Sequence, residues 1–294
     1  VANGFYDTPG INVFILYPKG KVSYIQEKQL TTLDKNITAL EIDGTFDDCQ
    51  RLVKSAFVDT ELNKKMNFSS ANSINFARLL PQTFYYFEAF KQIENKSGKI
   101  YFCVPSGNLG NLSAGLIAKE MGLPVTKFIA ATNSNTTFAE FVKSGKFVPR
   151  DSVLTLSNAM DVGNPSNLSR IRSLYNDDMS RIKEIIFSDY GNDTDTINTI
   201  KHVFKNHNYI LDPHGAVGFF VLNNFLHSKK ENNYTAILLE TAHPVKFLDV
   251  VEKNLNISVN IPERLSSCLI KEKKSIALSS QYKELKHYFL CSEK

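Results

Sequence analysis

Six consecutive residues, Ser106-Gly107-Asn108-Leu109-Gly110-Asn111, combine two glycines three apart with three hydrogen-bonding side chains. Glycines at that spacing let the chain turn tightly and leave no Cβ between backbone and ligand. An apolar run, Ile100 to Val104, precedes the loop, and helical spacing over Leu112 to Met121 follows it. A strand-to-helix loop of this kind turns free N–H groups and the positive end of a helix dipole toward one point, which suits a phosphate. Ser106, Asn108 and Asn111 add side-chain donors. The same pattern also fits an ordinary tight turn. It is not a P-loop, because no Gly-Lys-Ser/Thr follows. It is not the dinucleotide fingerprint either, because no Gly-x-Gly precedes the second glycine.

Two further groups of residues invite a chemical reading. Asn72, Ser73 and Arg78 fall on the first two turns of an expected helix. They read either as an anion-holding set or as helix capping plus a surface arginine. Thr241 follows an apolar run, as the glycine loop does. In an open parallel sheet such loops share one edge, where ligands bind. Thr241 then offers a hydroxyl to a ligand in the cradle, or it caps the next helix. His214 and His243 read as core or loop histidines.

The elements that must position these residues alternate. Ile11 to Tyr17 and Ile37 to Ile42 read as strands, and Ser23 to Leu33 and Phe46 to Phe57 as helices, the latter opened by capping-box spacing at Thr45 and Asp48. Polar residues 67–72 mark a boundary, dividing a smaller α/β domain (1–70) from a larger one (71–294). In the larger domain a helix from Ser73 to Ile93 is expected, kinked at Pro81. Val125 to Ala131 and Ala236 to Leu239 read as strands. Met179 to Tyr190, Thr194 to Asn206, Phe219 to Leu226 and Gln281 to Phe289 read as helices. The class is α/β with parallel-rich open sheets.

Composition narrows the function. Across 294 residues the net charge is +4 with the signs mixed, so no basic stripe points to nucleic acid. No run approaches the roughly 18–20 apolar residues of a membrane span. Four scattered cysteines without Cys-x-x-Cys, and no secretory signal, lead to an expectation of reduced thiols in a cytoplasm. The histidines show no His-Glu-x-x-His, and no metal is expected.

VPSGNLGNLSAG, GLPVTKFIAATNSN, TLSNAMDV, DPHGAVG and TAHPVKF, with ILYPKGKVS, QEKQL, DGTFDDCQ and SANSIN upstream, resemble the threonine synthases. The likeness runs over nearly the whole chain. It implies pyridoxal 5'-phosphate (PLP) as cofactor, a fold-type II architecture like the tryptophan synthase β subunit, and conversion of O-phospho-L-homoserine and water to L-threonine and phosphate. It implies that Ser106, Gly107, Asn108, Leu109, Gly110 and Asn111 hold the cofactor phosphate and that Thr241 faces the pyridine nitrogen. Asn72, Ser73 and Arg78 would hold the substrate phosphate. The family's reacting lysine lies in a segment upstream of the quoted motifs. The smaller domain is therefore expected to be incomplete, and the chain alone to be inactive, with no catalytic residue of its own. The expected partner is the small-molecule substrate, with the protein a monomer or homodimer. Alternatives are a non-catalytic phosphate- or PLP-binding relative and another PLP lyase acting on a phosphorylated amino acid.

Overall fold

The computed structural model describes residues 2–71, 75–229 and 232–291. They form two compact units, 1–69 with 260–294, and 70–259. In chain order the first unit opens with β1 (Val13–Pro18), α1 (Tyr24–Thr31), β2 (Ile37–Asp43), α2 (Phe46–Val58) and α3 (Thr60–Lys65). Thr45 opens α2 as expected: its hydroxyl accepts from the Asp48 N–H, and the Asp48 carboxylate accepts from the Thr45 N–H.

The second unit begins with a short 3-10 turn, Phe76–Arg78, and α4 (Leu80–Lys91). A single kinked helix was expected here. Instead Pro81 sits in the first turn of α4, where its missing N–H costs no hydrogen bond. Then come β3 (Lys99–Pro105), α5 (Gly110–Glu120), β4 (Lys127–Thr132), α6 (Thr137–Ser144), α7 (Leu168–Leu174) and α8 (Met179–Ile185). β5 (Ile186–Tyr190) follows at once, in a stretch whose spacing predicts helix throughout. Ile186 and Ser188 are buried there, and β5 pairs with β4, so sheet pairing overrides the local helical pattern. The unit closes with α9 (Asp193–His207), α10 (Pro213–Ser228), β6 (Tyr234–Leu238) and α11 (Leu248–Leu255).

β5, β4, β3 and β6 form a parallel sheet in that order. Side chains of β3 alternate between its faces. Ile100, Phe102 and Val104 pack with α4, α5, α7 and α8, while Tyr101 and Cys103 pack with α10. Helices on both faces explain why β3 reads as an unbroken apolar run.

α12 (Glu263–Leu269), β7 (Ile276–Ser279) and α13 (Tyr282–Cys291) then return to the first unit. The expectation that the larger domain runs to Lys294 is corrected here. β7 pairs parallel with β2, giving the order β1-β2-β7, and Leu285 and Phe289 of α13 enter the core of α2 and β2. β1 is only partly buried, as suits an edge strand, although its sequence suggests cover on both faces. Among the described residues no helix is long and apolar enough to cross a membrane, and no group of His, Cys, Asp or Glu is arranged to hold a metal ion.

Candidate functional site

β3 ends at Pro105, and the glycine loop leads directly into α5. The Ser106 N–H still extends the sheet, donating to Ala131 O at 3.0 Å. Beyond it the backbone is left open. No hydrogen bond among the described residues takes the N–H groups of Gly107, Leu109, Gly110 or Asn111, and α5 has no side-chain cap. These are the donors that a helix start leaves over.

The side chains of the loop do something other than the sequence suggests. The Ser106 hydroxyl donates to Asn111 Oδ1 at 2.7 Å, and Asn111 Nδ2 donates to Pro105 O at 2.8 Å. Leu112 N–H donates to the same Asn111 Oδ1, and the Tyr86 hydroxyl of α4 donates to Asn111 O at 2.6 Å. Ser106 and Asn111 thus brace the loop from within, and α4 is tied to it. On the far side Asn108 Oδ1 accepts the Ser166 N–H at 2.6 Å and its hydroxyl at 3.0 Å, and Asn108 O accepts from Asn167 Nδ2 at 2.8 Å. Bracing by side chains leaves the backbone as the ligand-facing donor set.

Behind Gly107 lies the 3-10 turn Asn158–Met160. A Cβ at Gly107 would stand 2.7 Å from Met160 Cα and 3.0 Å from Ala159 O. That turn is held by a partly buried polar cluster. Asn133 Nδ2 donates to Asp161 Oδ1 and to Thr155 Oγ1, both at 2.8 Å, and Thr155 donates to both oxygens of Asp161. Burial raises the Asp161 carboxyl pKa, and these donors act against the rise. Asn133, Asp161, Ser166 and Asn167 were not singled out from sequence. Their signal there is that Asn133 and Asp161 fall within the quoted motifs GLPVTKFIAATNSN and TLSNAMDV, which carry no role for either residue taken alone.

β6 lies beside β3, and the Leu239 N–H donates to Cys103 O at 3.0 Å. Thr241 therefore leaves the same sheet edge as Ser106, from the neighbouring strand. It is exposed, and it does not cap the next element: His243 does, its Nδ1 accepting from the Val245 N–H. Arg78 is exposed at the end of the Phe76–Arg78 turn, which Asn75 caps. Asn72 and Ser73 lie outside the described residues.

Next to Thr241, Glu240 reaches the start of α10. A Cβ at Gly215 would come within 1.6 Å of Glu240 Oε1, so the carboxylate fills the space a side chain would take. The residue as a whole is exposed, but its carboxylate is tucked in, and burial with the nearby Asp212 charge pushes its pKa up to about 8. Asp212 and His214 are buried, and the His214 Nδ1–H donates to Asp212 Oδ1 at 2.6 Å. The folded state binds the Glu240 proton more tightly than the unfolded chain, where the carboxyl has a pKa of 4.5. The contribution of Glu240 to stability is then greatest below about pH 4.5 and is lost as pH rises to about 8. Glu240→Gln is expected to flatten this slope and to raise the urea midpoint at alkaline pH. Parallel urea titrations of both proteins across the range check it, and an unchanged slope would contradict it.

A model of the pyridoxal-phosphate-dependent enzymes matches residues 8–239, and one of the threonine synthase C-terminal region matches residues 215–289. A threonine synthase of Buchnera aphidicola subsp. Schizaphis graminum is 47% identical over 91% of this chain and 61% of its own length. The crystal structure of threonine synthase from Escherichia coli superposes with a TM-score of 0.90 at 41% identity, covering 99% of this chain and 67% of that one. That of PLP-bound threonine synthase from Brucella melitensis gives 0.86 at 32% identity, over 98% and 67%. The chain thus spans about three fifths to two thirds of the length of these relatives. With 41% identity over two thirds of a solved relative, in the parallel α/β architecture of fold type II, the chain belongs to the threonine synthase family of pyridoxal-phosphate-dependent enzymes.

Proposed function

We propose that this chain supplies the cofactor-phosphate cradle of a threonine synthase, which converts O-phospho-L-homoserine and water to L-threonine and phosphate. One observation carries the reading: the open N–H groups of Gly107, Leu109, Gly110 and Asn111 at the start of α5, braced by side chains that are themselves engaged. Such a donor set fits the phosphate of PLP, because the helix start favours an anion and no Cβ obstructs it at either glycine. When bound, PLP supplies an electron sink for charge that develops at the substrate carbons.

The remaining roles belong to side chains. Thr241 is assigned to the pyridine nitrogen, since a hydroxyl, unlike a carboxylate, does not force that nitrogen to keep a proton. Arg78, with Asn72 and Ser73, is assigned to the substrate phosphate, because a guanidinium fork grips two phosphate oxygens. No lysine of this chain is assigned the covalent role, so the 294 residues alone are expected to form no threonine.

The test is an assay of the whole protein with PLP and O-phospho-L-homoserine. Threonine and phosphate are expected in equal amounts. PLP binding without phosphate release would favour a non-catalytic relative, and phosphate release without threonine would favour another lyase. Thr241→Asp is expected to lower kcat at least about tenfold, or ~1.4 kcal/mol of barrier, with a smaller loss of PLP affinity. Unchanged turnover would remove Thr241 from the site.

A further inference from the structure

We infer that Asn167 is a positioning residue: it latches the peptide between Asn108 and Leu109 so that the Leu109 N–H faces a bound phosphate. The inference rests on the cradle reading of Ser106 to Asn111. A trans peptide is one rigid plane, in which the Asn108 carbonyl and the Leu109 N–H point in opposite directions. Asn167 Nδ2 donates to that carbonyl at 2.8 Å. The bond therefore fixes where the Leu109 N–H points.

The latch has something to oppose. Leu109 stands at φ 59° and ψ 15°, in the left-handed region that residues with a Cβ seldom adopt. Rotation of the peptide would let Leu109 relax and would withdraw its N–H from the cradle. Asn167 is fully buried, so water does not take its place. It precedes α7 at a position where Asn commonly caps a helix, yet its side chain makes no cap. Its Oδ1 is buried without a partner among the described residues, so the donating side of the amide is the side in use. Ser166 grips Asn108 by the side chain as well, so both ends of that residue are held.

The experiment uses the whole protein, stripped of PLP and labelled at the leucine and glycine amide nitrogens and at the asparagine side-chain amides, with inorganic phosphate as the NMR probe. In the unaltered protein, phosphate is expected to shift the amide signals of Gly107, Leu109 and Gly110. In Asn167→Ala the Leu109 shift is lost, the Gly110 shift persists, and inorganic phosphate and PLP both bind about tenfold more weakly, as suits the loss of one hydrogen bond that orders a charged site. Asn167→Asp keeps the size but cannot donate, and is expected to behave like the alanine variant. If neither variant folds, the unaltered protein decides: a latched Asn167 has side-chain amide protons that exchange slowly with solvent, and fast exchange overturns the inference. Equal affinity and an equal Leu109 shift in Asn167→Ala would overturn it too, leaving the cradle standing. An absence of phosphate shifts at all three loop amides in the unaltered protein would overturn the cradle itself.

Discussion

Gly107→Ala is expected to weaken PLP binding by one to two orders of magnitude while leaving the fold intact. The added methyl meets main chain on the far side, Met160 Cα at 2.7 Å and Ala159 O at 3.0 Å, rather than the end of a flexible side chain. Neither neighbour yields easily, because the turn that carries them is pinned through Asp161, Thr155 and Asn133. The loop must move instead, and it carries the donors. Overpacking of a fixed site costs roughly 1–3 kcal/mol. In binding terms that is about five- to 150-fold. Equilibrium titration with PLP, beside a urea melt of each protein, measures both quantities. Gly4→Ala serves as control, since a Cβ there meets nothing within 4 Å. A Gly107→Ala protein that binds PLP within about twofold of the unaltered protein would show that the loop is not the cofactor cradle.

Arg78→Ala is expected to raise KM for O-phospho-L-homoserine with little change in PLP affinity. A hydrogen bond to a charged group contributes roughly 1.5–3 kcal/mol, so the expected rise is about ten- to hundredfold. Arg78 ends the turn that feeds α4, and α4 is fastened to the glycine loop through Tyr86 and Asn111. α5 packs against the same tyrosine, where Gly115 leaves room for its ring. Steady-state kinetics over a range of substrate, with PLP titrated separately, separates the two effects. An equal loss of both affinities would assign Arg78 to the cofactor.

Parts of this architecture were legible in the sequence and parts were not, for physical reasons. The β3–loop–α5 unit was legible because its signals are local: an apolar run, two glycines, then helical spacing. The capping box at Thr45 was legible for the same reason. β5 was not, because Ile182, Ile185 and Ile186 also fit a helix, and only the partner β4 decides the matter. β7 was hidden by its length of four residues and by a partner, β2, far away in the chain. The loop residues Ser106 and Asn111 were read as donors to a ligand. In the structure they bond to each other and to Pro105 and Leu112, contacts that depend on how the loop closes. Thr241 or the residues after it had to cap the turn beyond β6. The structure gives that task to His243 and leaves the Thr241 hydroxyl free of it.

The pairing of β7 with β2 also bears on how the protein is made. β2 leaves the ribosome well before its neighbour on one side, because the whole of unit 70–259 is encoded between them. At about 5–20 residues per second, synthesis leaves that edge of β2 waiting on the order of ten to fifty seconds. Unit 70–259 is continuous, so it has every strand of its sheet before β7 exists. During the interval β2 presents unpaired N–H and C=O groups beside apolar side chains, the kind of edge that recruits strands from other chains. Nascent-chain arrest just before Ile276 should therefore give a species with a protease-resistant 70–259 core, a labile β1–β2 region ahead of it and a marked demand for chaperones.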